Sequence, residues 1–161
     1  MKALFFDIDG TLVNKKGKLP DSARKALDQA RAKGHKLFLC TGRNEVQIYS
    51  FLKDYGFDGI VSAAGAMVSC EGKEIYHNFI GEEPLNRCID FFEDRPIIFG
   101  LQTASGNYMD KKSYQVFEDV AEKYHLDERV LKAVTNGMEI VDSLRGHQDV
   151  EKMFYFECPE T

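Results

Sequence analysis

The chain has 161 residues, 43% of them hydrophobic and 29% charged, and a net charge of -5. This composition supports one well-buried core, or one domain plus part of a second, and excludes a disordered chain. The acidic balance, with no Lys/Arg run, excludes a nucleic-acid groove, and no apolar stretch approaches the roughly 20 residues a membrane-spanning helix needs.

Ala3 to Phe6 form a short continuous apolar run, which predicts a strand buried on both faces with Asp7 at its C-terminal end. Ala23, Ala26, Leu27 and Ala30 recur at helical spacing, and Gly34 can end that helix. Leu37 to Cys40 predict a second buried strand, closed by Thr41-Gly42-Arg43. Ile48, Phe51, Leu52 and Tyr55 give another helical stripe, ending at Gly56 before a third apolar run at Ile60-Val61. The order strand, helix, strand, helix, strand predicts right-handed βαβ units and a Rossmann-like parallel sheet.

Beyond Ser62 the rhythm changes. Ala66 to Ser69 and Glu74 to Phe79 flank a hairpin-like connection at Cys70-Glu71-Gly72-Lys73, where a second module is expected to begin. A helix around Leu85 to Phe92 follows, then a strand at Ile97 to Leu101, a turn at Ser105-Gly106, and a helix carrying Tyr114, Phe117, Val120, Ala121 and Tyr124. Strands are expected at Met138 to Val141 and Met153 to Phe156. The expected organisation is an α/β unit over 1–62 and an inserted α+β unit with an antiparallel sheet over 63–161.

The four cysteines, Cys40, Cys70, Cys88 and Cys158, show no Cys-x-x-Cys pair, which fits buried reduced thiols and a cytosolic protein. The four histidines lack ligand spacing and are expected at the surface.

In an open parallel sheet, ligands bind beyond the carboxyl ends of the strands, where both Asp7 and Thr41 fall. A carboxylate there can attack phosphorus and form an aspartyl-phosphate, and Asp9 can protonate the leaving oxygen and later deprotonate water. Gly10 and Thr11 would let backbone N–H groups approach phosphate oxygens. The Thr41 hydroxyl and the Gly42 N–H would add donors. Magnesium suits such hard oxygen ligands, with Asp7 and Asp9 as the candidates to hold it.

Asp-Ile-Asp-Gly-Thr-Leu at 7–12, following an apolar strand, resembles the first motif of the haloacid dehalogenase superfamily of phosphohydrolases, and within it the Cof-type sugar-phosphate phosphatases. The resemblance implies Asp7 as nucleophile and magnesium ligand, Asp9 as acid/base with its backbone carbonyl on the metal, and Thr41 as the phosphate-binding second motif. Cys-Thr-Gly-Arg at 40–43 is similar to the Cof-type form of that motif, which implies Arg43 near the substrate. The implied function is magnesium-dependent hydrolysis of a small phosphorylated metabolite, with a phosphomutase or phosphotransferase, or a non-catalytic phosphate-binding module, as alternatives on the same scaffold.

The chain departs from the family pattern in two places. Ala64 stands where the family usually has Asn before a Gly-Ala pair. The family's lysine and its second acidic loop, which follow the inserted cap, have no counterpart before Thr161; Lys152 reads as a solvated surface lysine. The 161-residue chain is therefore expected to be a truncated, catalytically incomplete piece of a longer phosphatase.

Overall fold

The computed structural model describes residues 1–95, 97–125 and 137–157, which form two compact units, one over Met1–Asn78 and one beginning at Phe79. In the first unit, β1 (Ala3–Phe6), α1 (Asp21–Ala32), β2 (Lys36–Cys40), α2 (Ser50–Tyr55) and β3 (Gly59–Ser62) follow in the expected order. β1, β2 and β3 are parallel neighbours, as expected, but they lie side by side in sequence order, and Leu27 of α1 and Leu52 of α2 pack in one cluster with Leu37 and Leu39 of β2, so this part of the sheet is wound in one direction only.

The hairpin expected to open the second module belongs instead to the first. β4 (Met67–Cys70) pairs antiparallel with β3, from Gly59 opposite Cys70 to Ser62 opposite Met67, and β5 (Lys73–His77) pairs with β4. The sheet thus has five strands in the order β1-β2-β3-β4-β5, and the first unit runs to Asn78 rather than to Ser62. Glu71 and Gly72 both take positive φ at the hairpin turn, the conformation that matches strand twist in a tight connection.

β1 was expected to be buried on both faces, but its residues alternate between exposed and half-buried. Among the described residues it has a neighbour on one side only, so its outer edge is uncovered. Phe5 is 59% exposed and is held by stacking on Phe38, with ring centroids 4.9 Å apart. The core lies further along the chain, where Ile8, Leu12 and Val13 pack with Leu27, Leu37, Leu39, Ile48 and Leu52.

The second unit holds α3 (Glu82–Glu93), β6 (Ile97–Thr103), β7 (Asn107–Asp110), α4 (Lys111–Lys123), β8 (Met138–Val141) and β9 (Val150–Glu157). Its sheet has the order β8-β7-β6-β9. β6 is antiparallel to β7 and β9, but β7 and β8 run parallel, so the sheet is mixed rather than purely antiparallel. Period-two alternation along β6 divides the core. Phe99 and Leu101 pack with Leu85 and Ile89 of α3, whereas Ile98 packs with Met109 and with Phe117 of α4.

Two expectations about single residues fail here. Cys40 and Cys88 are exposed and Cys70 is only half-buried, all three free, while Cys158 lies outside the described residues. Lys152 is half-buried in β9, and burial pushes its ammonium pKa down. Among the described residues, no helix is long and apolar enough to cross a membrane.

Candidate active site

Asp7 is the first residue past β1 and Thr41 the first past β2. Because these strands are parallel neighbours in register from Ala3 opposite Lys36 to Phe6 opposite Leu39, their two carboxyl ends lie side by side. The acidic loop is anchored from beneath by its apolar residues. Ile8 is fully buried, and Leu12 and Val13 nearly so, while Asp7, Asp9, Gly10 and Thr11 are exposed. Burying a side chain such as Ile8 is worth roughly 1.5–3 kcal/mol, enough to hold the intervening acids outward.

The backbone of this loop is wound on itself. The N–H groups of Leu12 and Val13 both donate to the Ile8 carbonyl, at 3.1 and 2.9 Å. Gly10 takes φ +84°, a conformation that strains any other residue, and its N–H donates to the Val13 carbonyl at 3.1 Å. The Thr11 N–H points to the Ile8 carbonyl at 3.4 Å. The N–H groups expected to face a phosphate are thus engaged within the loop, and the role of Gly10 here is the turn itself.

The two carboxylates differ in their surroundings. Among the described residues the Asp7 carboxylate has no hydrogen-bond or ion-pair partner and is exposed. Asp9 is gripped on both oxygens by Arg43, whose Nε donates to Oδ2 at 2.7 Å and Nη2 to Oδ1 at 2.9 Å. This is the bidentate fork that guanidinium geometry favours. The hydrogen bond to Asp9 raises the Arg43 pKa above its ordinary value, against the opposing effect of burial.

Arg43 is itself held by two residues that the sequence did not single out. Its Nη1 donates to the Gln47 carbonyl at 3.0 Å and its Nη2 to the Tyr49 hydroxyl at 3.2 Å. The guanidinium carbon lies 4.6 Å from the centroid of the Tyr49 ring, a cation–π distance, and that ring stacks on Phe51 at 5.2 Å. Gln47 belongs to a short 3₁₀ turn, Glu45–Gln47, and Tyr49 immediately precedes α2. An aromatic just ahead of a helix is too common a pattern to have marked Tyr49.

Thr41 is buried, its N–H donating to the Val61 carbonyl at 2.9 Å. Its Oγ1 accepts the Arg43 N–H at 3.2 Å, which leaves the hydroxyl hydrogen to donate. Gly42 beside it is exposed. The loop after β3 ties in through the Ala63 N–H to the Arg43 carbonyl at 2.7 Å and the Ala64 N–H to the Thr41 carbonyl at 3.1 Å. The structure therefore brings the tips of β1, β2 and β3 into one hydrogen-bonded cluster that includes the predicted Asp9, Thr41 and Arg43.

Among the described residues there is no group of three or more His, Cys, Asp or Glu side chains able to hold a metal ion. The Asp7 carboxylate is a free hard-oxygen donor, and the Asp9 backbone carbonyl, two residues on in the same loop, is a second one. Two such donors fit magnesium, which keeps most of its waters, better than a metal that needs a closed protein cage.

Residues 4–157 match the family model described as haloacid dehalogenase-like hydrolase. Three proteins of Bacillus subtilis (strain 168) are similar. YkrA is 30% identical over 100 residues, 61% of this chain and 39% of its own length. Phosphatase YwpJ is 26% identical over 73% of this chain and 42% of its own. The 5-amino-6-(5-phospho-D-ribitylamino)uracil phosphatase YwtE is 25% identical over 96% of this chain and 51% of its own. Among solved structures, the subclass IIB sugar phosphatase BT4131 superposes with a TM-score of 0.67 at 28% identity, over 88% of this chain and 52% of that one. The chain spans about half the length, or less, of the relatives it matches.

Proposed function

The chain belongs to the haloacid dehalogenase-like hydrolases, in their Cof-type branch, and from that premise we propose that its first unit carries the nucleophile and acid/base half of a phosphatase acting on small phosphorylated metabolites. The observation that carries this reading is the contrast between the two acids of one loop: an exposed, unpaired Asp7 at the strand tip and an Asp9 held in a fixed pose beside it. A nucleophile must be free to reach phosphorus, whereas a proton carrier must be placed.

In the proposed reaction an Asp7 carboxylate oxygen attacks phosphorus as the bond to the leaving oxygen breaks, and Asp9 delivers a proton to that oxygen. Water then attacks the aspartyl-phosphate and gives its proton to Asp9, the bond to Asp7 breaks, and orthophosphate leaves. The Thr41 hydroxyl and the Gly42 backbone are the proposed donors to the phosphoryl oxygens. Magnesium, held by the Asp7 carboxylate and the Asp9 carbonyl, would offset the repulsion between the anionic nucleophile and the anionic substrate.

We assign sugar phosphates as the substrate class, supported by the name of the sugar phosphatase BT4131. The second unit, from Phe79, is the proposed cap. Free thiols at Cys40, Cys70 and Cys88 support a reducing, cytosolic setting. We further propose that fast turnover also draws on a lysine and a second acid, the groups that the family resemblance implies beside Asp7 and Asp9. The test is orthophosphate release from sugar phosphates and p-nitrophenyl phosphate. Magnesium-dependent release that disappears in Asp7→Asn supports the reading, and release unaffected by Asp7→Asn contradicts it.

A further inference from the structure

We propose that Arg43 is a positioning residue for Asp9, itself set in place by Tyr49 and the Gln47 carbonyl, and is not a ligand of the substrate phosphate; this rests on the phosphoryl-transfer reading above. The donor inventory carries it. A guanidinium has five N–H groups, and here Nε is committed to Asp9 Oδ2, Nη2 to Asp9 Oδ1 and the Tyr49 hydroxyl, and Nη1 to the Gln47 carbonyl. One N–H remains. A bidentate grip on a phosphoryl group needs two, so Arg43 cannot take one without giving up a partner it already has.

Burial points the same way. The Arg43 side chain is 28% exposed and that of Asp9 53%, so the cation is the deeper member of the pair and the carboxylate the one offered to solvent. The guanidinium carbon lies over the ring of Tyr49, 4.6 Å from its centroid, and the hydroxyl of that residue accepts from Nη2, so Tyr49 holds the guanidinium at two points. A fork fixed in this way fixes the plane of the carboxylate it holds. Each Asp9 oxygen still has a second lone pair, so the grip leaves Asp9 able to exchange a proton while denying it other rotamers. A lysine could not substitute, since a point charge on a flexible stem holds one oxygen and no plane.

The experiment follows the Arg43 Nε–H resonance in the isotope-labelled 161-residue chain. Tyr49→Phe keeps the ring and deletes the hydroxyl; it is expected to speed solvent exchange of that Nε–H about fivefold, the factor matching the loss of one ordinary hydrogen bond. Unchanged exchange overturns the clamp. Titration with magnesium and orthophosphate is expected to move the Thr41 and Gly42 amide signals saturably and leave the Arg43 Nε–H in place. Arg43→Lys is expected to keep orthophosphate affinity within about twofold while kcat for p-nitrophenyl phosphate falls about tenfold or more, at nearly constant KM. An Nε–H that titrates together with the Thr41 amide, or a lysine variant that loses phosphate affinity and keeps kcat, overturns the proposal. Orthophosphate that moves neither Thr41 nor Gly42 overturns the phosphoryl-transfer reading instead, and the Tyr49→Phe arm still decides the clamp.

Discussion

Arg43 and Asp9, 34 residues apart in sequence, meet in a two-point ion pair at 2.7 and 2.9 Å that joins the loop after β1 to the loop after β2. With Asp9 half-exposed, solvent screens much of the attraction, and such pairs contribute roughly 0–1 kcal/mol to stability. Its value is geometric: it fixes one carboxylate of the acidic loop and leaves Asp7 free.

The loop after β3 sits in a strained conformation that can be relieved. Ala63 and Ala64 have φ of +49° and +58°, the left-handed region where a Cβ costs about 1 kcal/mol. Ala64 is exposed, so Ala64→Gly removes a strain without removing packing. We expect Ala64→Gly to raise unfolding stability by ~0.5–1 kcal/mol in chemical denaturation. A variant less stable than the parent would show that the backbone turn is not under strain.

Gly59 has the opposite sensitivity. A Cβ there would lie 2.4 Å from the Ser69 carbonyl oxygen of the neighbouring strand and 2.8 Å from the Phe38 ring. Gly59→Ala should therefore force β3 from β4 and cost about 1–3 kcal/mol, read as a lower denaturation midpoint. A neutral outcome would contradict the β3–β4 pairing that places the hairpin in the first unit.

Asp58 gives the first unit a pH dependence. Its carboxylate accepts from Lys36 Nζ at 2.8 Å and from the Leu37 N–H at 2.9 Å, and the Lys36 bond first, then the Leu37 N–H, hold its pKa below the ordinary aspartate value. A depressed folded-state pKa contributes stability that is present above the unfolded value and lost as pH falls through the folded one. Asp58→Asn should thus be less stable than the parent at neutral pH, with the gap closing below about pH 4. A gap that persists undiminished into that acid range would contradict the charged pairing.

The elements most legible in the sequence were those whose cause is local. The continuous apolar run at Ala3–Phe6 and the helical stripe ending at Gly34, whose φ is +76°, both emerge with nearly the expected bounds. Burial of β1 was not legible, because it depends on which strands flank β1, and that is decided by pairing far away in sequence. β7 went unseen because Tyr108 and Met109 sit between Asn107 and Asp110, too short a run to read as a strand. The allegiance of the hairpin was set by the register of β4 on β3, to which composition is blind. Within the site, Asp7 and Thr41 were marked by their position at strand ends, and Asp9 by its place two residues after Asp7. The engagement of Arg43 with Asp9, Gln47 and Tyr49 was hidden, since it is a product of the strand order and not of any spacing.

The most direct measurement is the position of a trapped phosphoryl group. The chain is incubated with magnesium and p-nitrophenyl phosphate, quenched, and reduced with borohydride, which converts an aspartyl-phosphate to homoserine, and the conversion is located by peptide mass spectrometry. The account predicts homoserine at position 7 and its absence from Asp7→Asn. Homoserine at position 9, or labelling that survives in Asp7→Asn, would contradict it.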